Sequence, residues 1–216
     1  SPRRPRGRPR RPAGTGVAAV AACVAVVAYF VAEHPSAGDV LRPVPVMLLA
    51  VVLAFGARLA LVPPPWLGGD RLARGIGVGT ALVLGIGFVL ASRLPGDDAG
   101  GMASYLIFAT IPIFFVGAAV AAAVGRSFHT GVRAATWTAL LGTAWVFVLW
   151  LLESVRWYRD GLGLLLDAAG GLPIGVNLSD AIIWTLAWLP VWGLPIGVLG
   201  AAAGAAVRRR VSAPVA

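Results

Sequence analysis

Apolar and polar positions follow one another in long blocks along this chain. Six apolar blocks have lengths close to or above the roughly 20 residues that a helix needs to cross a bilayer. They cover residues 16–32, 45–62, 75–91, 104–124, 134–152 and 180–207. None has the two-residue alternation of a membrane β-strand. The pattern predicts an all-α, polytopic transmembrane bundle of six spans over residues 16–207, with an arm at residues 1–15 and a basic tail at residues 208–216.

The composition narrows the class of protein. The 216 residues are 58% hydrophobic and 12% charged, and the mean hydropathy is +0.84. Soluble domains are about 45–50% apolar even with glycine counted. These values exclude an ordinary soluble enzyme and a disordered chain. The single cysteine, Cys23, excludes an internal disulfide and a multi-thiolate metal site.

The arginines predict the orientation of the spans. With the N-terminus in the cytoplasm, 14 of the 18 arginines fall on the cytoplasmic side, whereas eight of the nine acids fall outside. Positive charge is retained on the cytoplasmic side of membrane proteins. We therefore expect a multi-pass protein of the cell (plasma) membrane with both termini in the cytoplasm.

The stretch 161–178, between the fifth and sixth spans, is too polar to be a seventh span. It carries Asp167, five glycines and Pro173. A seventh span would also move the three arginines at 208–210 to the outside, against the positive-inside rule. The segment is predicted to lie on the outer membrane surface or to dip into the bundle as a re-entrant loop.

The arm is rich in arginine and proline, a composition that favours an extended, disordered segment. Anionic lipid headgroups are its expected partner, and the alternative is that the arm only sets the orientation. Nucleic acid is not expected, because no aromatic stacking residue accompanies the charge. The six arginines concerned are Arg3, Arg4, Arg6, Arg8, Arg10 and Arg11.

Few residues have the spacing of a catalytic or metal site. His34 and His129 are predicted to lie on opposite sides of the membrane, so they cannot share a metal ion. There is no P-loop or HExxH motif. We expect no cofactor, no metal and no catalytic residue. Asp70 is predicted to pair with Arg74 at i+4.

Glycines and tryptophans mark the packing faces of two spans. In the third span, the glycines of residues 75–87 are expected to let a neighbouring helix approach closely. In the sixth, Trp184, Trp188 and Trp192 form one stripe, Pro190 and Pro195 predict a bend, and four glycines follow at 193, 197, 200 and 204. At about 42 Å this span exceeds a ~30 Å hydrocarbon core, so a tilt, kink or break is expected.

The candidate site lies where the fifth helix leaves the outer face. Glu153, Arg156 and Asp160 share one helix face, and a glycine-rich loop with Asp167 follows. The chain then returns to the membrane before the tryptophan stripe. Together these residues predict a polar pocket with aromatic walls; the alternative is a solvated helix end with weak salt bridges. The remaining candidate binding residues are Asn177, Asp180, Trp184 and Trp188.

Three functions stay open on these observations. The first is a small-solute-binding, transport-associated or partner-binding membrane subunit, whose partner would be another membrane protein. The second is a membrane enzyme that acts at the outer face on a lipid-linked substrate. The third is the membrane anchor or sensor part of a longer chain, because the sequence begins with Ser1 instead of Met.

Overall fold

The computed structural model describes residues 13–37, 43–62, 64–91, 105–160 and 174–211, and every secondary-structure element within these ranges is helical. The predicted all-α architecture is confirmed for this part of the chain. The α-helices are α1 (Ala13–Glu33), α2 (Pro43–Leu61), the short α3 (Pro65–Gly68), α4 (Arg71–Ala91), α5 (Thr110–Val124), α6 (Phe128–Asp160), α7 (Ile174–Ala181) and α8 (Leu189–Val211). A 3-10 turn (Pro35–Ala37) follows α1, and π-helical segments precede α5 (Tyr105–Ala109) and α8 (Ile182–Trp188).

Five of the described helical stretches are long and apolar enough to cross a membrane. They are Gly16–Glu33, Arg71–Ala91, Ile107–Val124, Phe128–Arg156 and Val176–Arg208. The apolar part of α2, Pro43–Leu59, is shorter. The chain is therefore a helical, membrane-type protein, and α2 is the predicted span that length and composition support least.

Helix α6 is the centre of the bundle. It packs against α1, α4, α5 and α8, and 61% of its apolar stretch is buried, against 17% for α1. Its side chains Phe147, Trp150 and Leu151 lie in the main core with Phe88 of α4 and Phe114 of α5. At 33 residues α6 is longer than the predicted span 134–152 at both ends. The prediction that this helix continues past the span through Glu153, Arg156 and Asp160 is confirmed, whereas its start at Phe128, ahead of the predicted span, was not predicted.

Glycines bring α8 against α5. A Cβ atom on Gly200 would collide with the backbone of Phe115, and one on Gly204 would collide with the backbone of Ala119. Such close approach of two backbones is possible only where a side chain is missing, and it is a common way of packing membrane helices. The expected role of the glycines in the sixth span is thus confirmed.

The glycine-dense stretch of α4 has a mixed role. Gly77 and Gly85 face the side chains of Trp137 and Trp145 on α6, and a Cβ on either glycine would overlap them. A Cβ on Gly79, by contrast, would meet nothing within 4 Å. Only part of this stretch therefore serves helix packing.

Proline shapes the two π-helical segments. Each segment is followed within three residues by a proline, Pro112 or Pro190, in the first turn of the next α-helix. Proline has no N–H to give to the carbonyl four residues back. The wider π-helical turn keeps the backbone hydrogen bonds continuous, since the Leu189 N–H donates to the carbonyl of Trp184, five residues back. The predicted bend in the sixth span is a wide turn in a continuous helical stretch.

This helical stretch also starts earlier than predicted. Residues 174–178, assigned to the outer loop from the sequence, form the start of α7. Asn177 and Leu178 are buried in the bundle, so this end of the segment enters the bundle, as one of the two predicted alternatives has it, but as a helix and not as a loop. The rest of the predicted loop, residues 161–173, lies outside the described residues.

The bundle has two ends, which the central helix connects. Gly56, near the end of α2, faces Val20, near the start of α1, so these helices run antiparallel. We call the end where α4 and α6 begin the Asp70 end, and the end where α6 finishes the Glu153 end. The 3-10 turn after α1 contacts α7 at the Glu153 end.

Candidate functional site

A buried hydrogen-bond network joins α6 to α7 at the Glu153 end. The Trp150 indole N–H donates to Asn177 Oδ1 at 2.7 Å, and Asn177 Nδ2 donates to Ser154 Oγ at 3.1 Å. Ser154 Oγ in turn donates to the Trp150 carbonyl at 2.8 Å. All three residues are 3% exposed or less. Both ends of the Asn177 amide are therefore engaged, and its place in the structure is that of a clamp between two helices.

The charged pair of the predicted site lies beside this network. Arg156 Nη1 is 3.6 Å from Glu153 Oε2, across one helical turn. The carboxylate side chain is 10% exposed, whereas the guanidinium side chain is 40% exposed. Charge-assisted N–H···O bonds are about 2.7–2.9 Å long. The guanidinium group is therefore attracted to Glu153 but not fixed by it, and it keeps N–H donors at the surface of the bundle.

Aromatic side chains from a distant part of the sequence reach the same end. The His34 ring lies 5.5 Å from the Phe30 ring and 5.5 Å from the Tyr158 ring, both in edge-on geometry. His34 Nε2 is buried and has no hydrogen-bond partner among the described residues. The sequence did not predict this contact, because 124 positions separate the histidine from the tyrosine. His129 lies at the start of α6, so the two histidines are at opposite ends of the bundle.

The other predicted site residues are only partly brought together. Asp180 is half-buried on α7, and no contact among the described residues joins it to Glu153 or Arg156. The tryptophan stripe is confirmed, since successive rings of Trp184, Trp188 and Trp192 lie 5.4 Å apart. The Asp160 side chain, Asp167 and the six arginines of the arm lie outside the described residues.

The opposite end holds a second polar cluster, on Asp70. Its Oδ1 accepts the backbone N–H of Ala73 at 3.0 Å, and its Oδ2 accepts the Thr130 hydroxyl at 2.9 Å. Arg133 Nη1 approaches the same oxygen at 3.4 Å. The expected pair with Arg74 was wrong. Asp70 caps the first turn of α4, and from that position its carboxylate reaches the start of α6 instead.

The environment of Asp70 favours the charged carboxylate. Burial by itself would raise the pKa of Asp70. The hydrogen bonds from Ala73, Thr130 and Arg133, together with the positive charge of Arg133, outweigh burial and lower the pKa below its ordinary value. Asp70 is therefore a charged link between α4 and α6.

Neither cluster has the ligand set of a metal centre. Among the described residues, no group of three or more His, Cys, Asp or Glu side chains could hold a metal ion. The Glu153 end offers a guanidinium donor, a sheltered carboxylate and aromatic rings. These groups can bind and orient a polar molecule.

Comparison of the chain with protein-family models, with curated proteins and with solved structures finds no match.

Proposed function

We propose that this protein is a small-solute-binding, transport-associated membrane subunit that does not catalyse a reaction. The observation that carries the proposal is the Arg156 guanidinium group. It is 40% exposed at the end of the bundle, and it approaches the Glu153 carboxylate at 3.6 Å, longer than a charge-assisted hydrogen bond. A guanidinium group has five N–H donors in a planar fork that suits carboxylates and phosphates. We infer that the solute carries such an anionic group.

The surroundings of Arg156 support binding more than turnover. The Ser154 hydroxyl donates to a main-chain carbonyl and accepts the Asn177 amide. A serine nucleophile instead needs a base that takes its proton. The network holds α6 and α7 in one fixed arrangement, and such rigid support is what a binding site requires.

A thermal-shift titration with inorganic phosphate and with succinate tests the proposal. A ligand at 100 times its Kd stabilises the folded state by about 2.7 kcal/mol. We expect one of the two anions to stabilise the wild-type protein and Arg156→Gln to lose that response. Arg71→Gln is the matched control, because Arg71 is exposed at the opposite end. Equal responses from both variants would contradict the proposal.

A second candidate is a membrane enzyme acting at the outer face on a lipid-linked substrate. It is favoured by the carboxylate of Glu153, which is sheltered from solvent beside a cation. Glu153→Gln separates the two functions. In a binding subunit the change removes a competing negative charge and should strengthen anion binding. In an enzyme that uses the carboxylate as acid or base, it should abolish activity in a cellular complementation assay.

The proposal includes six membrane spans with both termini in the cytoplasm. The antiparallel arrangement of α1 and α2 supports a second span, although α2 is short. The described arginines also support the orientation, because six of them lie in helix ends or turns at the Asp70 end and two lie at the Glu153 end. The six are Arg58, Arg71, Arg74, Arg126, Arg133 and Arg208, and the two are Arg156 and Arg159. Reporter fusions after residues 39, 97 and 170 should report the outside, and those after 70, 129 and 213 the inside. A cytoplasmic signal at 170 would refute six spans.

The arginine-rich arm is proposed to bind anionic lipid headgroups on the cytoplasmic side. Each arginine near such a surface contributes about 1 kcal/mol. Deleting residues 1–12 should weaken insertion into anionic liposomes and leave the helical fold intact. Equal behaviour of the deletion variant in anionic and neutral liposomes would give the arm another role.

A further inference from the structure

An open groove lies between α1 and α4, and α6 forms its floor. Both outer helices pack against α6, and the groove has a volume of about 340 Å³, within the range of about 300–1,000 Å³ that ligand sites have. Alanines border it on all three helices, and their small side chains leave space that longer ones would fill. These are Ala18, Ala22, Ala81 and Ala144. We call it the α1–α4 groove.

The α1–α4 groove begins near the Asp70 end and runs toward the middle of the bundle. On α1 its wall begins at Ala18, just inside the apolar stretch that starts at Gly16. On α6 it extends from Leu141 to Val148, which corresponds to about 10 Å of helix. One leaflet of a bilayer contributes about 15 Å of hydrocarbon, half of the ~30 Å core. The groove is therefore long enough to hold much of one acyl chain from the leaflet at the Asp70 end.

The side of the groove is open to the surface that faces the hydrocarbon of a membrane. Ala18 and Ala22 are exposed on α1, and the Leu82 side chain is exposed on α4. The half-exposed ring of Trp145 lies against Gly85 of α4 and completes the wall. An acyl chain can therefore enter sideways from the bilayer. In the groove it contacts three helices at once, so it gains more dispersion contacts than a chain on the outer face of one helix.

An arginine without a partner lies at the end of the groove. At 100° per residue, Arg74 falls within about 80° of Val78 and Leu82, the groove-lining residues of α4, and it lies one turn nearer to the Asp70 end. Its side chain is exposed. Asp70, the carboxylate that local spacing assigns to it, turns to α6 instead. In the described part of the chain, no hydrogen bond or ion pair engages the Arg74 guanidinium group.

We propose that the α1–α4 groove binds an anionic phospholipid, with one acyl chain in the groove and the headgroup phosphate against the Arg74 guanidinium group. Arg74 precedes Val78 by about 6 Å along the helix, and a long arginine side chain extends further toward the headgroups. The phosphate of a lipid whose chain lies in the groove reaches this level. The guanidinium fork matches the geometry of phosphate oxygens. This site is independent of the solute site at the Glu153 end.

A second copy of the chain is a less suitable occupant of the groove. Two copies related by an axis along the membrane normal present the same surface to each other. Docking through the groove would therefore bring two Arg74 side chains to the same depth at one interface, where like charges repel. A phosphate group instead neutralises the charge of Arg74. The unpaired arginine at the end of an apolar groove thus favours an anionic lipid.

Native mass spectrometry of the delipidated full chain in a non-ionic detergent tests the headgroup contact. Dioleoyl phosphatidylglycerol and dioleoyl phosphatidylcholine have the same chains and differ in headgroup charge. We expect the first phosphatidylglycerol to bind more tightly than phosphatidylcholine. Arg74→Gln should weaken phosphatidylglycerol binding roughly fivefold, the effect of one arginine at an anionic lipid surface, and leave phosphatidylcholine binding unchanged.

Arg58→Gln is the matched control for charge. Arg58 is exposed at the same end of the bundle, but it lies on α2 and does not line the groove. The arginine-rich arm is present in every variant, so its own attraction for anionic lipid cancels in the comparison. Equal weakening by Arg58→Gln and Arg74→Gln, or no preference of the wild type for phosphatidylglycerol, would overturn the proposal.

A second pair of variants tests the position of the acyl chain. Ala22→Leu places a larger side chain in the groove, whereas Ala21→Leu places the same side chain on a neighbouring exposed position of α1 that does not line the groove. We expect Ala22→Leu to weaken phosphatidylglycerol binding by about fivefold or more, the effect of overfilling a packed site. Ala21→Leu should bind as the wild type does. Equal affinities of these two variants would overturn the proposal.

Fluorine NMR locates the bound lipid. The chain has eight tryptophans, so the 5-fluorotryptophan-labelled protein in phosphatidylcholine nanodiscs gives up to eight resonances, and Trp145→Phe identifies the one that belongs to Trp145. A small fraction of phosphatidylglycerol with a nitroxide on one acyl chain should broaden the Trp145 resonance more than phosphatidylcholine with the same label does. Arg74→Gln should remove this difference. A dimer whose Trp145 resonance ignores both labelled lipids would place a second copy in the groove and overturn the proposal.

Discussion

Asn177→Ala is expected to destabilise the protein more than its position near the end of the bundle suggests. The substitution removes the acceptor of the Trp150 indole N–H and a donor to Ser154. Trp150 is 2% exposed, so water cannot replace the lost acceptor without opening the interface between α6 and α7. The interface would therefore keep a polar group without a partner.

The magnitude follows from the two hydrogen bonds. Each is worth about 0.5–1.5 kcal/mol net, and a buried donor left without a partner costs about 1–3 kcal/mol. The Ser154 hydroxyl keeps its own acceptor, the Trp150 carbonyl, so its share of the loss is small. We expect Asn177→Ala to lower the free energy of unfolding by about 2–4 kcal/mol.

A double-mutant cycle isolates the interaction. Trp150→Phe removes the indole N–H and keeps an aromatic ring against Phe88, which stacks on Trp150 at 5.8 Å between ring centroids. In the double variant neither partner is left alone. The combined loss should therefore be about 1–3 kcal/mol smaller than the sum of the single losses.

The assay is reversible unfolding in mixed micelles of a mild detergent and dodecyl sulfate, followed by circular dichroism. Thr185→Val is the control, since Thr185 is fully buried but its hydroxyl bonds only to Ala181 of its own helical stretch, at 2.6 Å. Its removal should cost less than ~1 kcal/mol. Additive losses in the cycle, or a loss for Asn177→Ala no larger than for the control, would refute the account of the network.

Substitutions at four other residues test the rest of the fold. Gly204→Ala should destabilise by about 1–3 kcal/mol because its Cβ meets the backbone of Ala119, whereas Gly79→Ala, with open space around it, should be neutral or stabilising in the same melt. Asp70→Asn should lower the free energy of unfolding by about 0.5–1 kcal/mol at neutral pH. Because the native pKa of Asp70 is lowered, the stabilisation by its carboxylate is present above the unfolded pKa of about 3.9 and disappears as the pH falls through the native pKa. The melting curves of the wild type and of Asp70→Asn should therefore converge in acid. Arg126 has φ 53°, so Arg126→Gly should stabilise by about 0.5–1 kcal/mol and Arg126→Ala should not.

The helical architecture could be predicted because a chain in lipid can form few other backbone structures. Backbone N–H and C=O groups must be satisfied within the segment when no water is present, so a long apolar block implies a helix. The start of α6 was harder to predict. Residues such as Thr130 and Arg133 lie within α6 but are polar, and hydropathy shows where a helix enters the hydrocarbon, which is a different point from where the helix begins.

The partners of polar residues could not be read from local spacing. The i+4 rule joins Asp70 to Arg74, but the carboxylate turns to Thr130 and Arg133, about 60 positions away. Asn177 was placed in a loop, and the acceptor it supplies to Trp150 exists only because α7 docks on α6. The i+3 pair of Glu153 and Arg156 was predictable, since both partners lie on one helix face.

These contacts divide the bundle into a tightly held part and a looser part. Apolar side chains gain little by leaving lipid for a neighbouring helix, so membrane helices are held by close packing and hydrogen bonds. Glycines lock α8 to α5, Asp70 ties α4 to α6, and Asn177 ties α7 to α6. Helix α1 packs against α6 through apolar side chains such as Val26 and Phe30, and the polar contact between their described residues is the weak one of the Cys23 thiol with the Ala144 carbonyl, at 3.9 Å. Moving α1 away from α6 would therefore break apolar packing and this thiol contact, whereas moving α4 or α7 away from α6 would also break the hydrogen bonds of Asp70 or Asn177.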